Sequence, residues 1–194
     1  MPVIMKTEKY DLITRDFLIK NLNCGFALAQ NDKELKENIN ERKYSLNKSR
    51  HSPKNIIMWE ERGLIKDNRK DGETWKKYSF TESLWIDLIK KLKRYGLHSK
   101  TILPIKEMLC KVTDEASICE FTLLDFYIKQ IALENQLVFL LTDNRANSFI
   151  ITKEHLASVE ALTEFEHEDM VRINLSSLVK RLLEELPIEI NESK

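Results

Sequence analysis

The chain has 194 residues, 42% hydrophobic and 32% charged, with four glycines and four prolines, a composition that excludes a low-complexity polymer and fits a core-forming, largely helical protein. No run approaches the ~18 apolar residues of a membrane span, no apolar secretory core opens the sequence, and three cysteines without paired metal-ligand spacing fit a reducing, cytoplasmic setting. The net charge is zero, yet residues 42–111 carry 18 Lys/Arg against 8 Asp/Glu while residues 112–194 carry 7 against 16.

Taken in order, residues 1–20 show only weak periodicity around Val3-Ile4, Leu12-Ile13 and Phe17-Leu18-Ile19, and Asn21 to Gly25 is turn-like. Asp32 is placed to cap a helix from Lys33 to about Tyr44. Ser52-Pro53 is a second helix start, because serine can cap free N–H groups and proline fits the first turn. Ile56 and Trp59 recur at helical spacing, Gly63 is a left-handed stop, and Leu64-Ile65 returns to an apolar environment. Residues 66–74 are polar, with a hairpin signal at Asp71-Gly72, and residues 75–80 read as the returning strand of a basic wing. Thr81 is the expected cap of a long helix whose stripe is Leu84, Trp85, Leu88, Ile89 and Leu92. Lys90, Lys91, Lys93 and Arg94 load its last turn, and Tyr95-Gly96-Leu97 ends it. A further helix starts at Ser99, with Pro104 expected to shift that start towards Leu103.

Residues 113–117 form a boundary. Beyond it the pattern predicts an apolar helix over 118–133 and strands at 138–142 and 148–152 joined by a turn at 143–147. A helix from Thr152 or Lys153, a third strand at 170–174 and a helix over 175–186 stopped by Pro187 complete the chain. The expected fold is mainly α with small β elements (α+β). Residues 1–43 are an amino-terminal extension, 44–112 a basic part with helices and a β wing, and 113–194 an acidic α+β unit.

No catalytic chemistry is written in the spacing. His51, His98, His155 and His167 are scattered, and no glycine loop could cradle a phosphate, so no enzyme and no cofactor are expected. Cys110 and Cys119 sit in apolar surroundings and read as structural thiols. Glu164, Glu166, Glu168 and Asp169, with His167, read as a solvated loop rather than a metal site. The basic middle points to a polyanionic partner, most simply nucleic acid.

Helix, wing, long helix and short helix thus follow one another across residues 44–109. With Ser52-Pro53-Lys54, Trp59-Glu60-Glu61, Gly63-Leu64-Ile65, Trp75-Lys76-Lys77-Tyr78 and Tyr95-Gly96-Leu97 in that order, this third of the chain resembles the DNA-binding domain of MerR-type regulators. Three features depart from the family pattern. Ile57 and Met58 stand where members commonly carry an arginine and a tyrosine on phosphates, the segment between Tyr44 and Ser52 is short, and the tail is α+β instead of one long dimerisation helix. The resemblance implies a non-enzymatic transcriptional regulator that binds double-stranded DNA as a homodimer, under an unidentified small-molecule effector, with residues 44–112 as its winged helix-turn-helix domain, residues 1–43 supplying the first helix and residues 113–194 serving dimerisation or effector sensing. Ser52, Lys54 and Asn55 would face a groove, with Lys48, Ser49, Arg50, Arg69, Lys70, Lys76 and Lys77 on phosphates. Tyr78 would either donate to phosphate or pack in the wing, and Trp59, Trp75 and Trp85 belong in the core. Two other readings fit the same residues: an excisionase-like accessory protein of a mobile element, or a protein-interaction adaptor whose basic middle binds an acidic partner.

Overall fold

The structure is a computed structural model that describes residues 33–46, 51–67, 76–110, 122–143, 148–156, 170–186 and 188. Outside them lie residues 1–32 with the Asp32 cap, the connector 47–50, the wing tip 68–75 and the boundary 113–117. Cys119, the turn 144–147, the acidic run 164–169 and Pro187 also fall outside.

The described elements are α1 (Lys33–Asn40), α2 (Pro53–Glu61), α3 (Phe80–Arg94), α4 (Ser99–Cys110) and α5 (Thr122–Glu134), then β1 (Val138–Thr142), β2 (Ser148–Thr152), β3 (Val171–Asn174) and α6 (Leu175–Glu185). The fold is mainly helical with one small antiparallel sheet, as expected from the pattern. The strand order is β2-β1-β3. Leu140 pairs with Ile150 on one side and Ile173 on the other, and this face enters the main core. Leu141 and Ile151 face the other way with Phe139 and Phe149, which is the period of two that a strand imposes. No described helix is long and apolar enough to cross a membrane.

In space the chain is organised around α3. Its predicted stripe is buried, but so are Phe80, Thr81, Ser83, Ile86 and Asp87, so the helix is enclosed on nearly all sides. α1, α4, α5 and α6 all pack against it. One hydrophobic core therefore runs from Ile39 through Trp59, Trp85 and Tyr127 to Leu182. α5 buries Leu123, Leu124, Tyr127, Ile128 and Ile131 inside the chain. This apolar face is thus occupied by the protein's own elements.

Three local expectations need correction. The cap of α3 is Ser79, not Thr81: Ser79 Oγ accepts from the Glu82 N–H at 3.1 Å and Glu82 Oε2 accepts from the Ser79 N–H at 2.8 Å. This reciprocal box, written as Ser-x-x-Glu, satisfies two end donors at once, which Thr81 cannot do. Thr81 is already inside the helix, where its hydroxyl donates to Asp125 at 2.6 Å. Second, Phe80 is the first residue of α3 instead of the last of a strand. Third, Pro104 does not delay α4, which runs unbroken from Ser99 with the proline inside it. Pro104 lies on the exposed face, where water can take up the carbonyl that loses its partner.

Candidate nucleic-acid interface

α2 is a short rod gripped from one side. Ile56 and Trp59 are buried, while Ser52, Pro53, Lys54, Asn55 and Ile57 are exposed. Its far end is locked. The Gly63 N–H donates to Glu60 O at 2.9 Å and the Leu64 N–H donates to Trp59 O at 2.9 Å, with Gly63 at φ +71°. That crossed pair is the Schellman closure, and it needs a residue free to turn left-handed. Trp85 Nε1 of α3 then donates to Leu64 O at 2.8 Å. The helix is fixed by its apolar side and its carboxyl end, leaving its amino end presented outward.

Ser52 sits before the first turn in an extended conformation, with Pro53 next, as the sequence predicts, but its side chain makes no capping bond. Its carbonyl instead accepts the Asn55 and Ile56 N–H groups at 3.0 and 3.2 Å. The Ser52 hydroxyl and the Lys54 and Asn55 side chains therefore share the first turn, exposed. The positive end of the helix dipole lies at the same place.

The wing residues divide. Tyr78 is 6% exposed, and it exchanges backbone hydrogen bonds with Tyr44 at 2.8 and 3.1 Å. Its side chain belongs to the main core. Lys76 Nζ reaches both carboxylate oxygens of Glu60 at 2.5 Å and Asp67 at 3.1 Å. It is thus brought to the carboxyl end of α2, away from Ser52. Lys77 is exposed. Lys48, Ser49, Arg50, Arg69 and Lys70 lie outside the described residues.

A cationic cluster went unread in the sequence. Arg62 and Lys93 both donate to Ser99 Oγ, at 3.1 and 2.9 Å, and Lys106 donates to Gly63 O at 3.1 Å. Lys93 looks like a residue placed for the α3 dipole, and only the packing of α2, α3 and α4 brings these side chains together. Burial, and secondarily the Arg62 charge, pulls the Lys93 ammonium below its ordinary range. Ile57, beside the buried Ile56, is 54% exposed on the α2 surface.

Among the described residues no three His, Cys, Asp or Glu side chains gather as metal ligands. Cys110 is half-buried. Neither a curated protein nor a solved structure matches the chain. The family model for MerR HTH family regulatory protein matches residues 47–108, the segment containing α2, α3 and nearly all of α4. Residues 47–108 are a MerR-type helix-turn-helix DNA-binding domain.

Proposed function

We propose that the chain is a sequence-reading transcriptional regulator in which α2 is the recognition helix, entering the major groove of duplex DNA by its amino end. The observation that carries this reading is the presentation of Ser52, Lys54 and Asn55 on one exposed turn of a helix held from behind and from its far end. Asn55 has the donor–acceptor pair that matches an adenine edge, and Lys54 suits guanine or a phosphate. Lys77 acts on the sugar–phosphate backbone, and Lys48, Ser49, Arg50, Arg69 and Lys70 add positive charge or hydrogen-bond donors close by in sequence. Tyr78 and Lys76 serve mainly to hold the hairpin region onto the domain, given their burial and pairing. Residues 44–112 form the binding part, and the acidic unit 113–194 supports and regulates it across the common core. α1, packed on α3 and α5, serves as the first helix of the helix-turn-helix.

Selection of bound duplexes from a random pool, followed by a salt titration on the winner, tests this. A defined consensus is expected, with affinity falling on the order of a hundredfold between 50 and 200 mM salt, as roughly four to five released counterions require. No enrichment, or affinity flat with salt, would exclude the reading and favour an adaptor of acidic proteins.

A further inference from the structure

His51, the residue immediately before Ser52, is buried. Its Nε2 lies 3.1 Å from Asp87 Oδ1, and both side chains are 5% exposed. Asp87 is on α3, and its other oxygen, Oδ2, accepts from an Arg181 guanidinium nitrogen at 2.9 Å. Arg181 belongs to α6, near the carboxy-terminal end of the chain, and its side chain is 46% exposed. A buried carboxylate is costly unless it is paired. Here one buried carboxylate meets a group from each of two distant segments, His51 at Oδ1 and Arg181 at Oδ2. A shift of Arg181 that turns this carboxylate moves the acceptor beside His51 Nε2. His51 is one peptide, about 3.8 Å between Cα atoms, from Ser52.

We propose that Asp87 and Arg181 are positioning residues, through which α6 of the carboxy-terminal unit sets the pose of the amino end of the recognition helix. The inference rests on the reading of α2 as the DNA-contacting helix for its functional meaning, but its structural content does not. Because Ser52 O accepts the Asn55 and Ile56 N–H groups at 3.0 and 3.2 Å, the hydrogen exchange of those two amides reports the pose directly.

The test uses the full chain carrying Arg181→Gln, Arg181→Lys, His51→Gln and the double variant Arg181→Gln/His51→Gln. Lys180→Gln, on the same helix and bonded to Asn135, is the control. Amide exchange is followed by NMR, with duplex binding at fixed salt and thermal melting alongside. In Arg181→Gln, exchange at Asn55 and Ile56 is expected to quicken roughly three- to tenfold, within the lower part of the range for directly coupled groups. DNA affinity falls by a similar factor, Arg181→Lys recovers part of both, and Lys180→Gln changes neither. The double variant is expected to lose less than the product of the two single effects. A merely structural role for Arg181 would instead quicken exchange throughout α6 and α3 without singling out these amides. Unchanged exchange at Asn55 and Ile56 overturns the proposal. Weaker DNA binding with unchanged exchange overturns it too, because Arg181 would then be a direct phosphate contact. If the wild type binds no duplex at all, the DNA reading fails while the exchange data still decide the relay.

Discussion

Glu60, in the last turn of α2, holds Lys76 by both carboxylate oxygens at 2.5 Å. The side chains are 14% and 24% exposed, and Asp67 closes on the same ammonium at 3.1 Å. Lys76 is therefore neutralised where it stands, whereas its neighbour Lys77 is open to solvent. Two adjacent lysines should then behave differently. Lys77→Ala is expected to weaken binding to every duplex alike and to reduce the salt slope by about one. Lys76→Ala should change the slope little and instead cost about 1 kcal/mol of stability, because it leaves the largely buried Glu60 carboxylate beside Asp67 with no cation between them. Fluorescence anisotropy across a salt series and thermal melting separate the two. A larger slope change for Lys76 than for Lys77 would contradict the assignment.

Among the described residues Ile57 is one of the few large apolar side chains left exposed, at 54%, and it follows Lys54 by three residues on the same helix face. The arginine and tyrosine common in the family at this position and the next are replaced by Ile57 and Met58. An aliphatic group on a helix in the major groove fits the thymine methyl. Ile57→Ala is expected to relax preference at one thymine of the selected site by roughly 1 kcal/mol. Replacing that thymine by deoxyuridine removes the same methyl and should cost the wild type a similar amount but the variant nothing. A loss on deoxyuridine that is equal in both proteins would place the contact elsewhere.

What was legible in the sequence shares one property: it is local. Ser52-Pro53 and Gly63 bound α2 because a cap, a ring-fixed φ and a left-handed glycine act within a few residues. Both strands of the β1–β2 hairpin, Val138–Thr142 and Ser148–Thr152, stood out as dense β-branched and aromatic runs. Ser79 was equally legible as the first residue of Ser-x-x-Glu, and Thr81 displaced it only because threonine also caps helices. The long-range contacts were not legible. Nothing in the order of residues says that Glu60 takes Lys76 out of the phosphate set, or that Arg181 meets an aspartate 94 positions away. Such pairs exist only once α3 has been wrapped. The apolar α5 shows the same gap: its helix was visible, but not that its partners are within the chain.

Gly96 gives a cleaner test of the turn chemistry than Gly63. It has φ +87°, its N–H donates to Lys93 O at 3.0 Å, and the Leu97 N–H reaches Leu92 O at 3.1 Å. A Cβ placed there meets nothing within 4 Å. The penalty of Gly96→Ala is therefore backbone strain alone, expected at about 1 kcal/mol. Gly96→Asn should lose less, since asparagine tolerates the left-handed region. Denaturant melts of both variants check this. An alanine variant as stable as the wild type would mean that α3 does not end in the crossed closure.

Lys93 supplies a prediction in pH. Desolvation first, and the nearby Arg62 charge second, lower its pKa from the ordinary 10.5. The unfolded chain thus holds this proton more tightly than the folded one. Between the lowered folded value and 10.5 the unfolded state binds more protons, so this residue's contribution to stability rises with pH through that window. Below the window both states are protonated and the full penalty remains. Lys93→Gln keeps a donor for Ser99 Oγ, now 2.9 Å from the ammonium, while removing the charge. It is expected to melt higher than the wild type at pH 7, with the advantage shrinking as pH approaches 10.5. Arg62→Gln removes only the smaller cause and should give the smaller gain. A Lys93→Gln advantage that stayed constant from pH 7 to pH 10.5 would show that packing, not charge, is responsible.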